Sequence, residues 1–414
     1  MSVQESSVDR DVRCPVVHFE VAPEREAGSY WEMGKELREK GEVLFNTLAQ
    51  GFWVLTSYDT VKEMYQDGDT FSARVITAWN PEPHARMIPM NIDPPEHIQF
   101  RQLLNDWFSP SAIREHRENH RAICRRYVES FAESGSIDAV AEFAIRYPTE
   151  VFLDFVGMPK EDTEFLVEWV DEFFLGYSGR KPGLDASGAK KIKDYYQENL
   201  DKRRATPQAP RERDFIGHLL QSTVNPDGTG ERPLSDSEVV DICFFLTIAG
   251  LDTTRAQLGW LLHHLATNPD DRKRLLDEPG LSVNAVEESL RYHGQVYGDG
   301  RVLTRDVEFR GCPMKEGDMV YGLASIASRS DKFEDPDTFK IDRKPSAHLG
   351  FAAGAHRCAG AHLARQELQL ALEEWHRLIP NYEVDSIEPL MERGAQLSLL
   401  SLPLKWSVSD AVGD

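Results

Sequence analysis

The chain turns on residues 350–360, Gly-Phe-Ala-Ala-Gly-Ala-His-Arg-Cys-Ala-Gly. Cys358 follows a loop of small residues and precedes a helical pattern, Ala361-His362-Leu363-Ala364-Arg365-Gln366-Glu367-Leu368. A helix N-terminus presents unpaired N–H groups and a partial positive charge, which favour a thiolate over a thiol. A lone cysteine is most often a small buried hydrophobe, but these neighbours argue for a ligand. Gly354 and Gly360 let backbone approach a flat group closely. His356 and Arg357 set two potential cations just before the sulfur. Zinc would need several Cys or His at short spacing, and the nearest other cysteine is Cys312. Heme iron, by contrast, takes a single protein thiolate.

The segment resembles the heme-binding loop of the cytochrome P-450 superfamily, Phe-x-x-Gly-x-His-x-Cys-x-Gly. Phe351, Gly354, His356, Cys358 and Gly360 stand at the matching places. Ala352 stands where the family usually has Gly. The resemblance covers most of the chain and implies a mainly α, triangular fold with a small β region. Heme b would lie between a long central helix and the Cys loop, with Cys358 as axial metal ligand. It also implies one domain over residues 21–414. Residues 1–20, polar in their first part, read as a disordered arm.

Composition narrows the function. Among 414 residues, 47 are Lys or Arg and 69 are Asp or Glu, a net charge of −22. That argues against nucleic acid or an anionic membrane as partner. The N-terminus has no apolar core, and the longest near-apolar stretch, Val239 to Leu251, is too short to span a bilayer. A soluble, cytoplasmic protein is expected. Cys14, Cys124, Cys243, Cys312 and Cys358 are scattered and odd in number, so no disulfide framework is expected.

Along the chain, Glu24 to Lys40 reads as a helix, and Val43–Leu48 with Phe52–Thr56 as a hairpin. A helix restarts at Thr60 to Gln66, and residues 76–95 are Pro-rich and irregular. Helical patterns dominate from Gln99 to Gly294. Strands are expected at Val302–Phe309, at Asp318–Leu323 and in the tail from Tyr382 to Trp406. Ser235-Asp236-Ser237-Glu238 has the form of a capping box, and Asn268-Pro269 stops the pattern that follows. The helix between them is roughly 32 residues and ~48 Å long.

The middle of that helix is unusual. Ala249-Gly250-Leu251-Asp252-Thr253-Thr254 sets Gly, Asp and two Thr inside an apolar run. Gly alone costs up to ~1 kcal/mol there, and such a local conflict flags function. The plainer reading is a polar face meeting another helix. The segment is similar to the family's Ala/Gly-Gly-x-Asp/Glu-Thr oxygen-activation sequence. The similarity implies that Ala249 and Gly250 clear space beside the iron, and that Asp252 and Thr253 deliver protons during O2 activation.

Further residues match the family in order. Glu288 and Arg291 form its Glu-x-x-Arg, and Arg343 follows Pro336-Asp337-Thr338-Phe339. The resemblance implies that these three are structural. It assigns His97, Arg101, Arg301 and His356 to the heme propionates. By position, Met87, Phe245, Ile248, Ala249, Val296 and Tyr297 would line the substrate pocket. Phe173, Phe174 and Tyr177 lead into the Gly-rich stretch Gly176 to Gly188, read as a mobile lid. Asp299-Gly300-Arg301 and Ile92-Asp93-Pro94-Pro95-Glu96 resemble bacterial class I members that hydroxylate camphor and related monoterpenoids. The Tyr that binds the camphor ketone has no counterpart in His84-Ala85-Arg86-Met87-Ile88-Pro89. His84 and Arg86 are candidates for a polar substrate end, with solvated loop residues the plainer reading.

The expected protein is a monooxygenase that inserts one atom of O2 into a C–H bond of a small or medium apolar, terpenoid-like molecule. The resemblance implies electrons from NAD(P)H through a separate reductase and ferredoxin, docked near Cys358 by Arg101 and neighbouring cations. Two rivals share the heme loop: a peroxide-driven peroxygenase, and a non-catalytic heme protein that binds or senses a ligand. Peroxygenases usually lose the acid–alcohol pair that Asp252 and Thr253 retain.

Overall fold

The computed structural model describes residues 14–21, 23–80, 86–177, 183–205, 214–394 and 396–408. Its organising element is the helix Asp236–Thr267, 32 residues long. Ser235 accepts from the Glu238 N–H, and the Glu238 carboxylate returns to the Ser235 N–H at 2.8 Å, which closes the capping box. Arg232 grips the same carboxylate with two bonds of 2.8 Å. The helix is apolar on nearly every face and buried along most of its length, as a helix without a solvent face must be. Helices Arg146–Val156, Thr163–Tyr177, Leu184–Ala205, Ser282–Tyr292 and Ala361–Leu378 pack around it.

A six-stranded sheet stands to one side, in the order Val16–Val17, Val43–Asn46, Phe52–Leu55, Met319–Gly322, Asp299–Leu303, Phe71–Ser72. The expected hairpin is present, with Val43 opposite Leu55. Asp299–Leu303 runs antiparallel to Met319–Gly322 and carries Arg301 toward the centre of the molecule. The mainly helical fold with a small sheet is the expected one.

Four expectations need correction. The first helix begins at Ser29, because Arg25–Glu26 instead pairs with Met391–Glu392 as a strand. Its first turn is capped from far away: the Glu392 carboxylate accepts from the Gly28 and Tyr30 N–H groups, each at 3.1 Å. The stretch Val302–Phe309 is two strands, broken where Arg305 turns aside to the Thr70 hydroxyl at 2.8 Å. Of the supposed arm, residues 1–13 lie outside the described residues, but Val16–Val17 pairs in parallel with Phe45–Asn46. Finally, Cys14 and Cys312 form a disulfide; pairing across 298 residues leaves no local spacing to read.

Two glycines of the expected lid serve packing. A Cβ at Gly176 would lie 1.9 Å from the Asp185 nitrogen, and one at Gly188 would lie 2.6 Å from the Phe173 nitrogen. They let Thr163–Tyr177 and Leu184–Ala205 cross at backbone contact. Residues 178–182 of that stretch lie outside the described residues.

Candidate heme site and substrate cavity

A deep cavity separates the middle of the central helix from the Cys358 loop. The loop is closed by the Cys358 N–H, which donates to the Phe351 carbonyl at 3.0 Å. Gly354 is required where it stands: its φ is +71°, and a Cβ would fall 2.2 Å from the Tyr65 carbonyl oxygen. Ala352, where the family usually has Gly, also adopts a left-handed φ of 53°. The Arg365 guanidinium lies 4.5 Å from the Phe351 ring centre and is anchored by Glu287. The accessible surface of Cys358 belongs to the cavity, not to the outside of the molecule. Burial pushes its thiol pKa up, against the opposing pull of the Gly360 N–H and of Arg101, Arg365 and Arg357.

The same cavity is lined by His97, Arg101, Arg301 and His356. The two histidine rings sit 4.1 Å apart. Both are held neutral, His97 lowered to about 4 and His356 to about 3, first by burial and then by neighbouring cations. Both nitrogens of His97 and Nε2 of His356 are buried without a hydrogen-bond partner among the described residues. Buried polar atoms are seldom left so. A flat ligand carrying carboxylates would accept from the ring N–H groups and from Arg101 and Arg301 as charged donors, with Cys358 available to hold its metal. The residues therefore fit a heme with two propionates.

On the opposite wall, Ala249, Gly250 and Thr253 face the cavity. The Thr253 hydroxyl donates to the Ala249 carbonyl at 2.7 Å, one turn back. Asp252 does not reach the cavity wall. Its Oδ1 accepts from Arg255 at 3.0 Å and from Arg393, and Asp171 completes the group through Arg255 at 2.7 Å. Asp252 Oδ2 and Arg255 Nε have no partner among the described residues. Glu288, Arg291 and Arg343 come together as expected. Arg291 holds both carboxylate oxygens of Glu288 at 2.8 Å, and Arg343 adds a bond of 2.9 Å.

Of the expected pocket residues, Met87, Phe245, Ile248, Ala249 and Val296 line the cavity, as do Phe173, Phe174 and Tyr177. Tyr297 does not. It is fully buried away from the cavity, donating to the Tyr30 carbonyl at 3.1 Å and packed edge-on to the Tyr30 ring. The Tyr297 side chain is taken up by Tyr30, so of this pair only Val296 faces in. Arg86 is engaged with Glu96 at 2.9 Å on the surface, and His84 lies outside the described residues. Arg101 belongs to the cavity and is not a surface cation for docking. Sequence reading missed Gln295, Gln396 and Arg393, single residues brought in by the fold with no motif around them.

The family model for cytochrome P450 matches residues 37–279 and 281–408. A relative from Sinorhizobium fredii, "Probable cytochrome P450 127A1", is 32% identical over 362 residues, 86% of this chain and 84% of that protein. "Mycinamicin IV hydroxylase/epoxidase" from Micromonospora griseorubida is 30% identical over 364 residues, covering 86% of this chain and 89% of that one. The crystal structure of CYP101J2 superposes with a TM-score of 0.82 at 29% identity, over 95% of this chain and 97% of the other. That of CYP101C1 gives 0.83 at 27%, with the same coverage. The chain belongs to the cytochrome P450 family, monooxygenases whose cofactor is heme b held by a cysteine thiolate.

Proposed function

We propose that this monooxygenase hydroxylates an apolar molecule of small or medium, terpenoid-like size, with Cys358 as the heme ligand. The observation that carries the reading is the composition of the cavity wall around Thr253. Met87, Phe173, Phe174, Phe245, Ile248 and Val296 supply it, and such a wall binds by excluding water. Two relatives of similar identity are named for apolar substrates, a "Steroid C26-monooxygenase" and a "Methyl-branched lipid omega-hydroxylase". When bound, the heme supplies O2 activation. His97, Arg101, Arg301 and His356 hold its propionates. Thr253 would pass a proton at its hydroxyl, and Asp252, whose Oδ2 has no partner among the described residues, would resupply it.

Electrons would arrive from NAD(P)H through a separate reductase and ferredoxin. Arg114 and Arg357 are exposed beside the Cys358 loop, and both act on His362, whose pKa burial first and then Arg365, Arg357 and Arg114 lower, so the positive charge there is the arginines'. On a chain of net charge −22 they form a local cationic face suited to an acidic partner.

The test is a titration of the ferric protein with terpenoids, phenolic ethers, steroids and fatty acids, read as the low-spin to high-spin shift of the heme band. A shift with the apolar cyclic class, followed by NADH- and ferredoxin-dependent hydroxylation, is the expected result. Turnover with hydrogen peroxide alone would favour the peroxygenase rival. Ligand binding without turnover by either route would favour the sensor.

A further inference from the structure

The five cysteines fall into two groups. Cys358 belongs to the cavity, and Cys124 and Cys243 are buried, with thiols that burial pushes up, which makes them poor nucleophiles. Cys14 and Cys312 lie on the sheet side of the molecule and are bonded to each other across 298 residues of chain. The two ends of that bond are unequal. Cys312 is 2% exposed, whereas Cys14 is only half-buried. A small thiol therefore approaches the bond from the Cys14 side. Where glutathione keeps thiols reduced, bonded cysteines serve transient or sensing roles more often than structural ones.

Neither end depends on the bond for its place. The Cys14 segment is held by its backbone: the Pro15 carbonyl accepts from the Phe45 N–H and the Val17 carbonyl from the Thr47 N–H, each at 3.0 Å. Asn46 adds a reciprocal pair of bonds with the Phe19 backbone, at 3.2 and 2.9 Å. Cys312 sits in the antiparallel pair of Val307–Phe309 with Cys312–Met314, and Phe309 packs edge-on against Phe71. With both segments held in this way and Cα atoms 6.0 Å apart, the thiols stay within bonding reach after reduction. The bond is able to open and close while the fold persists.

Its position ties it to the heme loop. Cys312 belongs to the smaller core that contains Tyr65 and Leu349, and Cys14, Ala352 and Ala353 pack against that core. Gly354 is seated on the Tyr65 carbonyl. The outer half of the loop that carries Cys358 thus rests on the core that the disulfide cross-links.

We propose that Cys14 and Cys312 form a thiol–disulfide switch that tightens the support of the heme loop when the surroundings become oxidising. In closing, the Cys14 thiolate attacks a low-molecular-weight disulfide of the glutathione class and releases one of its two thiols. Cys312 then displaces the second from the mixed disulfide. One S–S bond breaks and one forms. The cysteines lose two electrons and two protons, and the small disulfide gains them as two thiols. Opening is the reverse, begun by a small thiolate at Cys14. The switch is independent of which substrate the cavity takes.

The experiment equilibrates the heme-loaded protein in reduced and in oxidised glutathione, alkylates the free thiols and counts them by mass spectrometry. In the oxidised buffer Cys124, Cys243 and Cys358 should be the free cysteines, and in the reduced buffer all five. The oxidised form should unfold about 5 °C higher or more and pass its heme to apomyoglobin several-fold more slowly. The substrate-induced spin shift should be the same in both. Cys14→Ser should behave as the reduced form in either buffer. A bond that stays closed in a large excess of reduced glutathione is a static staple and overturns the switch. So do thiols that remain free in oxidised glutathione, heme transfer that does not differ between the two forms, or a difference that survives Cys14→Ser.

Discussion

Glu288 and Asp252 are both buried carboxylates gripped by two arginines, and they differ in how fully their partners are used. Around Glu288 every group is engaged. Both carboxylate oxygens accept, one of them also from the Lys340 N–H at 2.9 Å. Arg291 spends its remaining N–H groups on the carbonyls of Ser328, Pro336 and Thr338. Arg343 does the same with Glu334, Asp335 and Thr338. Around Asp252 both arginines share one oxygen, the other oxygen has no partner among the described residues, and Asp171 at the far end is 39% exposed. A saturated cluster resists change; an unsaturated one that reaches solvent is able to rearrange. The first suits a girder under the heme loop, the second a proton carrier beside Thr253.

The largest effect is expected at the girder. Glu288→Gln strands Arg291, whose side chain is 0% exposed, and loss of one partner from a buried pair costs about 3–5 kcal/mol. The variant should express poorly and lose heme, seen as a collapse of the heme absorbance relative to protein. A variant that keeps its heme and its unfolding midpoint would show that the backbone carbonyls alone secure the two arginines.

Asp252→Asn should behave differently. Arg255 and Arg393 keep Asp171 as counter-charge, so folding, heme content and substrate-induced spin shift should persist. Product formation should fall by about 100-fold, the scale of a lost general acid–base step. The solvent isotope effect should rise as proton delivery becomes limiting. If this variant instead loses heme as Glu288→Gln does, the two clusters are alike and the contrast fails.

The two regions were not equally legible. Glu288 and Arg291 are three residues apart on one helix, and Arg343 follows a short local pattern, so the girder could be read before any fold was known. The heme loop was legible for the same reason: Phe351, Gly354, His356, Cys358 and Gly360 fall within ten residues of one another, although what requires Gly354 is the distant Tyr65 carbonyl. The carrier was half legible. Asp252 and Thr253 announce themselves by interrupting an apolar helix. Arg393 lies 141 residues from Asp252 and carries no pattern, so only the folded chain brings it in. Tyr297 shows the limit from the other side. The segment was correctly placed at the cavity, but which of two adjacent residues faces inward depends on the register of a single bridge, Val296 opposite Gln396. That register is set by Leu397 and Gln396, residues a hundred positions away.

Acid offers a second way to separate the regions. Glu287 is adjacent to Glu288 and ties its helix to the one that follows Cys358. Burial pushes its carboxyl up, but hydrogen bonds from His348 and Arg365 outweigh burial and pull it from 4.5 to about 2. Glu374 behaves likewise: burial opposes, and Arg125, Arg121 and Arg377 bring it to about 2. Carboxyls depressed in the folded state stabilise it fully above their unfolded pKa. That stability is lost as pH falls from about 4.5 toward 2. Denaturant midpoints of the native chain should therefore fall across that window. Glu287→Gln should start lower at neutral pH and fall less steeply. An unchanged slope would mean that the Glu287 cluster contributes nothing to acid stability.

The smallest effect is expected in the heme loop itself, where Ala352 occupies a left-handed turn at φ 53°. That conformation costs a non-glycine residue about 1–2 kcal/mol. Glycine removes the cost but gains freedom in the unfolded chain worth roughly 0.5–1 kcal/mol. The Ala352 methyl also packs against the small core that contains Tyr65, Phe71 and Leu349, and glycine forfeits that contact. The balance favours Ala352→Gly by less than about 1 kcal/mol, a rise in unfolding midpoint of about 1–2 °C for a chain of this size. A fall would be equally informative. It would mean that the methyl braces the loop against this core more strongly than the turn strains it, so that support for Cys358 comes from packing as well as from the girder at Glu288.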